Sequence, residues 1–333
     1  MMKYITIILI SIIVLTISSC KTHKKTHSET IKWGTFQDTT LKISPCDISA
    51  SPIAKYIKKN PEKFEFLNEV NIYFLRYISD GLLVTGFLVK PKKEGKYPCV
   101  LFNRGGNREY GSLVIGSAVI NMAPLAAKGY VVAATNYRGN SGGEGKEEFG
   151  GKDVNDITNL IESLHFIESA DTSKVGLFGI SRGGMMNYLT LKRKINKIKA
   201  VVNIGAITDM NTTIKYHPRI DGVCEELIPN YLDNKAVARN KRSVTNWVDK
   251  LPKTPMLILH GMKDQHVDYS QIPPFLDSLE KYHVPFKSMS FENDNHGIKK
   301  HREFISLEIL KWFERYLKRE EVFKEEKIRE IID

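Results

Sequence analysis

Cysteine is scarce in this chain: four among 333 residues, Cys20, Cys46, Cys99 and Cys224. No Cys/His spacing matches a zinc site, so structural zinc is not expected. No Pro/Gly-rich run marks a flexible linker, and no repeat is visible, which leaves one large domain or two small ones. Apolar runs are short as well. The longest, Ile5 to Ile17, falls below the ~20 residues needed to span a bilayer. The basic clusters at Lys21–Lys25, Lys192–Lys199 and Lys299–Arg302 lack interleaved aromatics, which argues against a nucleic-acid groove. The glycines of Gly139-Asn-Ser-Gly-Gly-Glu-Gly145 miss the dinucleotide spacing, and no helix opens on them. Nothing calls for a metal or cofactor.

What the chain does have is a substantial apolar fraction, 42%, and a net charge of +11 spread along its length, expected as a solvated basic surface. Lys3 followed by Ile5–Ile17 reads as a signal peptide over residues 1–19. Ile17-Ser-Ser-Cys20 resembles the lipobox of bacterial lipoproteins. That resemblance implies cleavage before Cys20, lipid on its sulfur, a tether over residues 20–32, and export to the cell envelope with a membrane anchor. With Cys20 so used, Cys46, Cys99 and Cys224 remain, and an odd number cannot fully pair within one chain. Cys99 lies in an apolar strand and is expected as a buried thiol.

Residues 33–69 form an N-terminal extension with short helices expected over 53–60 and 62–69. From Val70 the pattern is two strands around Ser79-Asp-Gly81, then buried strands alternating with helices: strands at 99–102, 130–135, 174–178, 200–204, 255–260 and 287–291, helices at 113–128, 153–167 and 304–317. This alternation predicts an α/β fold with a doubly wound, mostly parallel sheet and antiparallel strands at its N-terminal edge. The catalytic domain is expected over residues 70–320, with 321–333 as a tail. Residues 207–251 break the rhythm and are either a helical cap over the C-terminal strand ends or a structural excursion.

The stretch Val175-Gly-Leu-Phe-Gly-Ile-Ser181-Arg-Gly-Gly184 carries the chemistry. A strand running into Gly-x-Ser-x-Gly and then a helix is a nucleophile elbow, with the Ser181 hydroxyl thrust out at a sheet edge. A serine needs a base and a group that orients the base, in chain order Ser, acid, His on this fold. Asp264 is the candidate acid, with Asp268 as runner-up. His260 and His266 are neighbours of that loop. His296, in Asn293-Asp-Asn-His-Gly297, is the candidate base, with His301 as the alternative. The oxyanion donors are expected to be the backbone amides of Arg182 and of either Arg104 or Gly105 in Asn103-Arg-Gly-Gly106.

Residues 70 to 318 resemble the catalytic domain of the prolyl oligopeptidase family, within the α/β-hydrolase superfamily. The resemblance rests on the Ser-Asp-Gly hairpin, Lys96-Tyr-Pro-Cys-Val-Leu with its following Gly-Gly, Tyr137-Arg-Gly-Asn-Ser-Gly-Gly143, Phe149-Gly-Gly-Lys-Asp-Val-Asn-Asp156, Gly179 to Gly184, His260 to Val267 and Asn295-His-Gly297. It implies a Ser181, Asp264, His296 triad and a small peptide substrate, an ester being the alternative for the same triad. Two departures are visible. Asn103-Arg104 stands where the family usually has a histidine before the oxyanion glycines. The ~50 residues between Cys20 and the hydrolase segment also leave no room for the family's propeller. A non-catalytic surface-binding lipoprotein is the competing class; it predicts an eroded triad, and no position is eroded. Oligomeric state is not legible.

Overall fold

The computed structural model describes residues 41–319 and 327–333. The signal peptide, Cys20, the whole tether and the first residues of the expected extension (33–40) therefore lie outside the described residues, as does part of the C-terminal stretch. Among the described residues, ten strands form one sheet: β1 (Lys42–Pro45), β2 (Val70–Ser79), β3 (Leu82–Pro91), β4 (Tyr97–Asn103), β5 (Val131–Thr135), β6 (Ala170–Ile180), β7 (Ile198–Ile204), β8 (Met256–Gly261), β9 (Phe286–Phe291) and β10 (Lys327–Ile332). Their spatial order is β1-β2-β3-β5-β4-β6-β7-β8-β9-β10. The β1/β2, β2/β3 and β3/β5 pairs are antiparallel, and the rest are parallel.

The central strands are apolar on both faces, as a sheet covered on both sides requires. In β4, Cys99 and Leu101 enter one core, and Val100 and Phe102 enter the other. In β5, Val131 and Ala133 alternate in the same way with Val132 and Ala134. Helices cover each face. The apolar stretch after β4 runs through α2 (Ile115–Ser117), a π turn and α3 (Ala123–Ala127), following the short α1 (Ile53–Lys59) of the extension. α4 (Val154–Ser163) buries Ile157, Leu160 and Ile161 on the first face. α5 (Arg182–Leu191), directly after the serine, is buried along its whole length. The insert supplies α6 (Met210–Tyr216), α7 (Arg219–Leu227) and α8 (Lys235–Arg242). α9 (Ile272–Lys281) shares the first face, and α10 (Arg302–Phe313) packs Ile305, Ile309 and Phe313 on the second.

The insert lies on the loops that leave the C-terminal ends of β4, β5 and β8. Glu226 of α7 pairs with Arg108, and its carbonyl accepts from Lys146 Nζ at 2.8 Å. Arg242 of α8 donates to the Phe149 carbonyl at 2.6 Å. The ring of His217 stands 6.0 Å from that of His266.

Two domain boundaries move. Residues 42–45 of the expected extension pair with β2 as an edge strand. The expected tail over 321–333 contains β10, parallel to β9 from Lys327↔Phe286 to Ile332↔Phe291. Lys-Ile-Arg-Glu-Ile-Ile is short and half charged, so its pattern resembles a solvated end. Its charges instead find partners across the edge: Glu330 with Lys287 at 3.2 Å, and Arg329 with Asp277 at 2.8 Å and Glu280 at 3.0 Å. Such exposed pairs are individually weak, so the backbone ladder to β9 carries the placement. Cys46, Cys99 and Cys224 are free thiols. Cys99 is buried as expected, and burial pushes its pKa up to about 12.

If β10 belongs to the sheet, amides within 328–332 will exchange with deuterium more slowly than free-peptide rates in the native protein. Exchange at the intrinsic rate would return this segment to the status of a tail.

Candidate active site

Ser181 sits between the end of β6 and the start of α5 with φ 59° and ψ −124°. A non-glycine residue with positive φ is strained, and such strain persists only where the surroundings enforce it. Here the Ser181 amide donates to the Ile204 carbonyl at 2.8 Å, and the Ser181 carbonyl accepts from Gly184 at 2.9 Å. The turn also needs Gly183, because a Cβ there would overlap the carbonyl of Asn103 at the end of β4. Beneath the turn runs a ladder of buried amides. Asn103 Nδ2 donates to Asn187 Oδ1 at 2.6 Å, and Asn187 Nδ2 donates to Asn203 Oδ1 at 2.7 Å, tying β4, α5 and β7 together. The Ser181 hydroxyl is half-buried and has no hydrogen-bond partner among the described residues.

Asp264 follows β8 in a tight turn. Its Oδ1 accepts from the amides of His266 at 2.8 Å and Val267 at 2.9 Å, which fixes the carboxylate plane. Its Oδ2 accepts from His296 Nδ1 at 2.6 Å and faces His260 Nε2 at 3.3 Å. Burial alone would raise its pKa; the bonds from His260 and then His296 outweigh burial and hold it well below the ordinary 3.8. His260 belongs to β8 rather than to the loop, is 1% exposed, and donates Nε2–H to the Val267 carbonyl at 2.8 Å.

His296 lies in the loop after β9. Because Nδ1 faces a carboxylate, it carries the proton, and the lone pair is left on Nε2. The ring stands beside Gly205: a Cβ on that glycine would come within 2.9 Å of His296 Nδ1. Gly205 follows Ile204, the acceptor of the Ser181 amide, so imidazole and serine share one corner of the sheet. Asp294 braces the loop by accepting from the amides of Asn295, Lys300 and His301 and from His301 Nδ1 at 3.0 Å. The runners-up are thereby occupied elsewhere. His301 pairs with Asp294, and Asp268 accepts from the Ser270 amide at 2.9 Å at the start of a 3-10 turn. His266 stacks edge-on at 5.1 Å between centroids from His296; its desolvation, then repulsion from His296, lowers its pKa.

Of the expected oxyanion residues, Gly105 lies against the serine. A Cβ there would be 3.1 Å from Ser181 Cβ and 3.7 Å from Oγ. Arg104 turns its guanidinium inward, 2% exposed, to the carbonyls of Asn136 at 2.9 Å and Gly105 at 3.1 Å. Arg182 opens α5, so its amide has no intrahelical acceptor. Its side chain is buried and pairs with Glu147 at 2.6 Å and Asp153 at 2.5 Å. Glu147, Asp153, Asn187 and Asn203 are not singled out by the sequence; of these only Asp153 carries a signal, lying in the stretch from Phe149 to Asp156 that follows the family pattern. Among the described residues, no group of three His, Cys, Asp or Glu side chains is arranged to hold a metal ion.

A mostly parallel sheet, an elbow serine after β6 and an Asp–His pair on the loops after β8 and β9 define an α/β-hydrolase fold. The sequence profile of the prolyl oligopeptidase family matches residues 117–320, and the chain belongs to that family. It is 30% identical over 227 residues to the uncharacterized peptidase YtmA of Bacillus subtilis, covering 68% of this chain and 86% of that protein. It is 28% identical over 260 residues to the uncharacterized peptidase YuxL of the same organism, covering 72% of this chain and 36% of YuxL. The acylaminoacyl peptidase of Pyrococcus horikoshii superposes with a TM-score of 0.66 at 25% identity, covering 80% of this chain and 45% of that one. The chain thus spans most of the first relative, about a third of the second and under half of the third.

Two outcomes test this geometry. Gly183→Ala will abolish turnover and lower stability by about 1–3 kcal/mol through overpacking, read from denaturant midpoints. Asp264→Asn will lose stability relative to wild type above the carboxylate's unfolded pKa of about 4, and the gap will close as pH falls below it. The sign follows from a folded pKa that is depressed: the ionised form is favoured by folding and is lost on acidification. A gap that widens in acid would contradict the Asp264 environment described here.

Proposed function

We propose that this protein is a serine peptidase acting through an acyl-enzyme on short peptides. Ser181 Oγ attacks the scissile carbonyl carbon while His296 Nε2 takes its proton. The carbonyl oxygen becomes an oxyanion held by the amides of Arg182 and Gly105. As the tetrahedral species collapses, the imidazolium returns the proton to the leaving amine and the C–N bond breaks. Water then repeats the sequence on the acyl-serine, releasing the acid and restoring the hydroxyl. Asp264 stays ionised throughout; it orients the ring and stabilises its charged form.

The observation that carries this reading is the 2.6 Å bond from His296 Nδ1 to a buried carboxylate, with the ring beside Gly205, next to the Ile204 carbonyl that accepts from the strained Ser181 turn. Membership of the prolyl oligopeptidase family, together with relatives named as peptidases, favours an amide over an ester as the scissile bond. We also propose that the chain is exported and held at a membrane by lipid on Cys20, on the strength of the leader and Ile17-Ser-Ser-Cys20.

Aminoacyl and dipeptidyl amides assayed beside short-chain esters, with Ser181→Ala as control, test the first proposal. Amide turnover lost in Ser181→Ala is expected, and Asp264→Asn should cut kcat by about 10⁴-fold. Turnover of esters alone would turn the reading to a carboxylesterase, and a fluorophosphonate that fails to label the folded protein would turn it to a binding protein. Cys20→Ala should move the protein from the membrane fraction to the soluble one; unchanged partition would remove the anchor.

A further inference from the structure

The loop that follows β4 is held from inside the protein by its carbonyls. The Arg104 carbonyl accepts from the Tyr137 hydroxyl at 3.2 Å. The Gly105 carbonyl accepts from Arg104 at 3.1 Å, and the Gly106 carbonyl accepts from Arg182 at 3.0 Å. No cis peptide occurs among the described residues, so in each peptide plane the C=O and the following N–H point opposite ways. A carbonyl of Arg104 pinned inward by Tyr137 therefore turns the Gly105 amide outward. Gly105 is also the loop residue that lies against Ser181.

Tyr137 and Arg182 form one unit. Tyr137 is fully buried at φ 63°, a strained value for an aromatic residue. The Arg182 guanidinium stands 4.9 Å from the Tyr137 ring centroid and 4.6 Å from that of Phe149. Glu147 and Asp153 hold its charge against a burial that disfavours it. Glu147 uses its other oxygen to accept from the Arg108 amide, two residues beyond Gly106, which gives the loop a further anchor. Arg182 thus contributes at both ends: its backbone amide heads α5 beside the serine, and its side chain grips the loop opposite.

We infer that Tyr137 and the Arg182 side chain are positioning residues of the oxyanion hole, fixing where the Gly105 amide stands relative to the Arg182 amide. This rests on the acyl-enzyme reading above. Neither side chain touches substrate; each acts through the backbone it holds. A tetrahedral oxyanion feels a displaced amide more than a ground-state carbonyl does, so the effect falls on kcat.

The test is Tyr137→Phe, which removes a single hydroxyl, measured beside Arg182→Lys and Ser181→Ala. Tyr137→Phe is expected to lower kcat about 10-fold and Arg182→Lys about 10–100-fold, each with KM within about twofold of wild type. A peptidyl boronate, which forms a tetrahedral adduct on the serine, should bind more weakly by the same factor as kcat/KM falls. A merely structural role would lower the melting temperature and the titratable active fraction, yet leave kcat per active site and boronate affinity unchanged. That result in folded Tyr137→Phe overturns the inference. Should Arg182→Lys fail to fold, Glu147→Gln replaces it, with the same parallel loss expected and the same null result decisive. Turnover retained in Ser181→Ala would overturn the nucleophile assignment itself; its loss there, with Tyr137→Phe and the Arg182 pair unchanged, would overturn the positioning role alone.

Discussion

The structure turns on one constrained residue. Ser181 occupies a conformation that costs on the order of 1–3 kcal/mol for a residue with a Cβ. The offset comes from α5, whose ten residues are all buried, and from bonds that fasten the turn to β7. The strain has a geometric purpose. A relaxed turn would lay the hydroxyl against the helix; the strained one projects it beyond the strand ends, where the loops after β4, β8 and β9 arrive.

Electrostatics divide the site into two tiers. At the rim, Asp264 and His296 meet with the ring partly open to solvent, so the imidazole is free to exchange a proton. Below it, Arg182, Glu147 and Asp153 are almost wholly dry. A buried ion pair adds little net stability relative to apolar packing, because desolvation cancels much of the attraction, but losing one partner is costly. Such a cluster makes most sense as a device for geometry. It fixes the loop after β4 through the Gly106 carbonyl and the Arg108 amide. The asparagine ladder from Asn103 through Asn187 to Asn203 does comparable work under the elbow with neutral groups. Asn103, one of the two residues that stand where the family usually has a histidine before the glycines, turns its side chain into the protein toward Asn187.

Much of this was legible from sequence because its signals are local. Gly179 to Gly184 specifies its own turn. The parallel strands are continuous apolar runs, and Asp264 and His296 each follow one of those strands, so that Asp264 and His296 could be preferred over Asp268 and His301 before any contact was known. The elements that escaped have no local signature. β1 and β10 are short edge strands whose sequences read as an extension and a tail; their pairing is a backbone property supplied by an open neighbour. Glu147 and Asp153 look like ordinary loop acids in a charged chain. Their importance follows from which guanidinium they meet, and Arg182 could be read from the motif only as a backbone donor.

By itself, then, the amino-acid order determined the alternation of elements, the nucleophile turn and the residue types that could serve it, since these depend on neighbours within a few positions. The folded sheet alone decided which carboxylate faces the imidazole, which loop glycine lies against the serine, and which buried charges hold that loop. Those outcomes depend on residues dozens of positions apart meeting at a few ångströms, a quantity that strand order and register set and that no stretch of sequence carries.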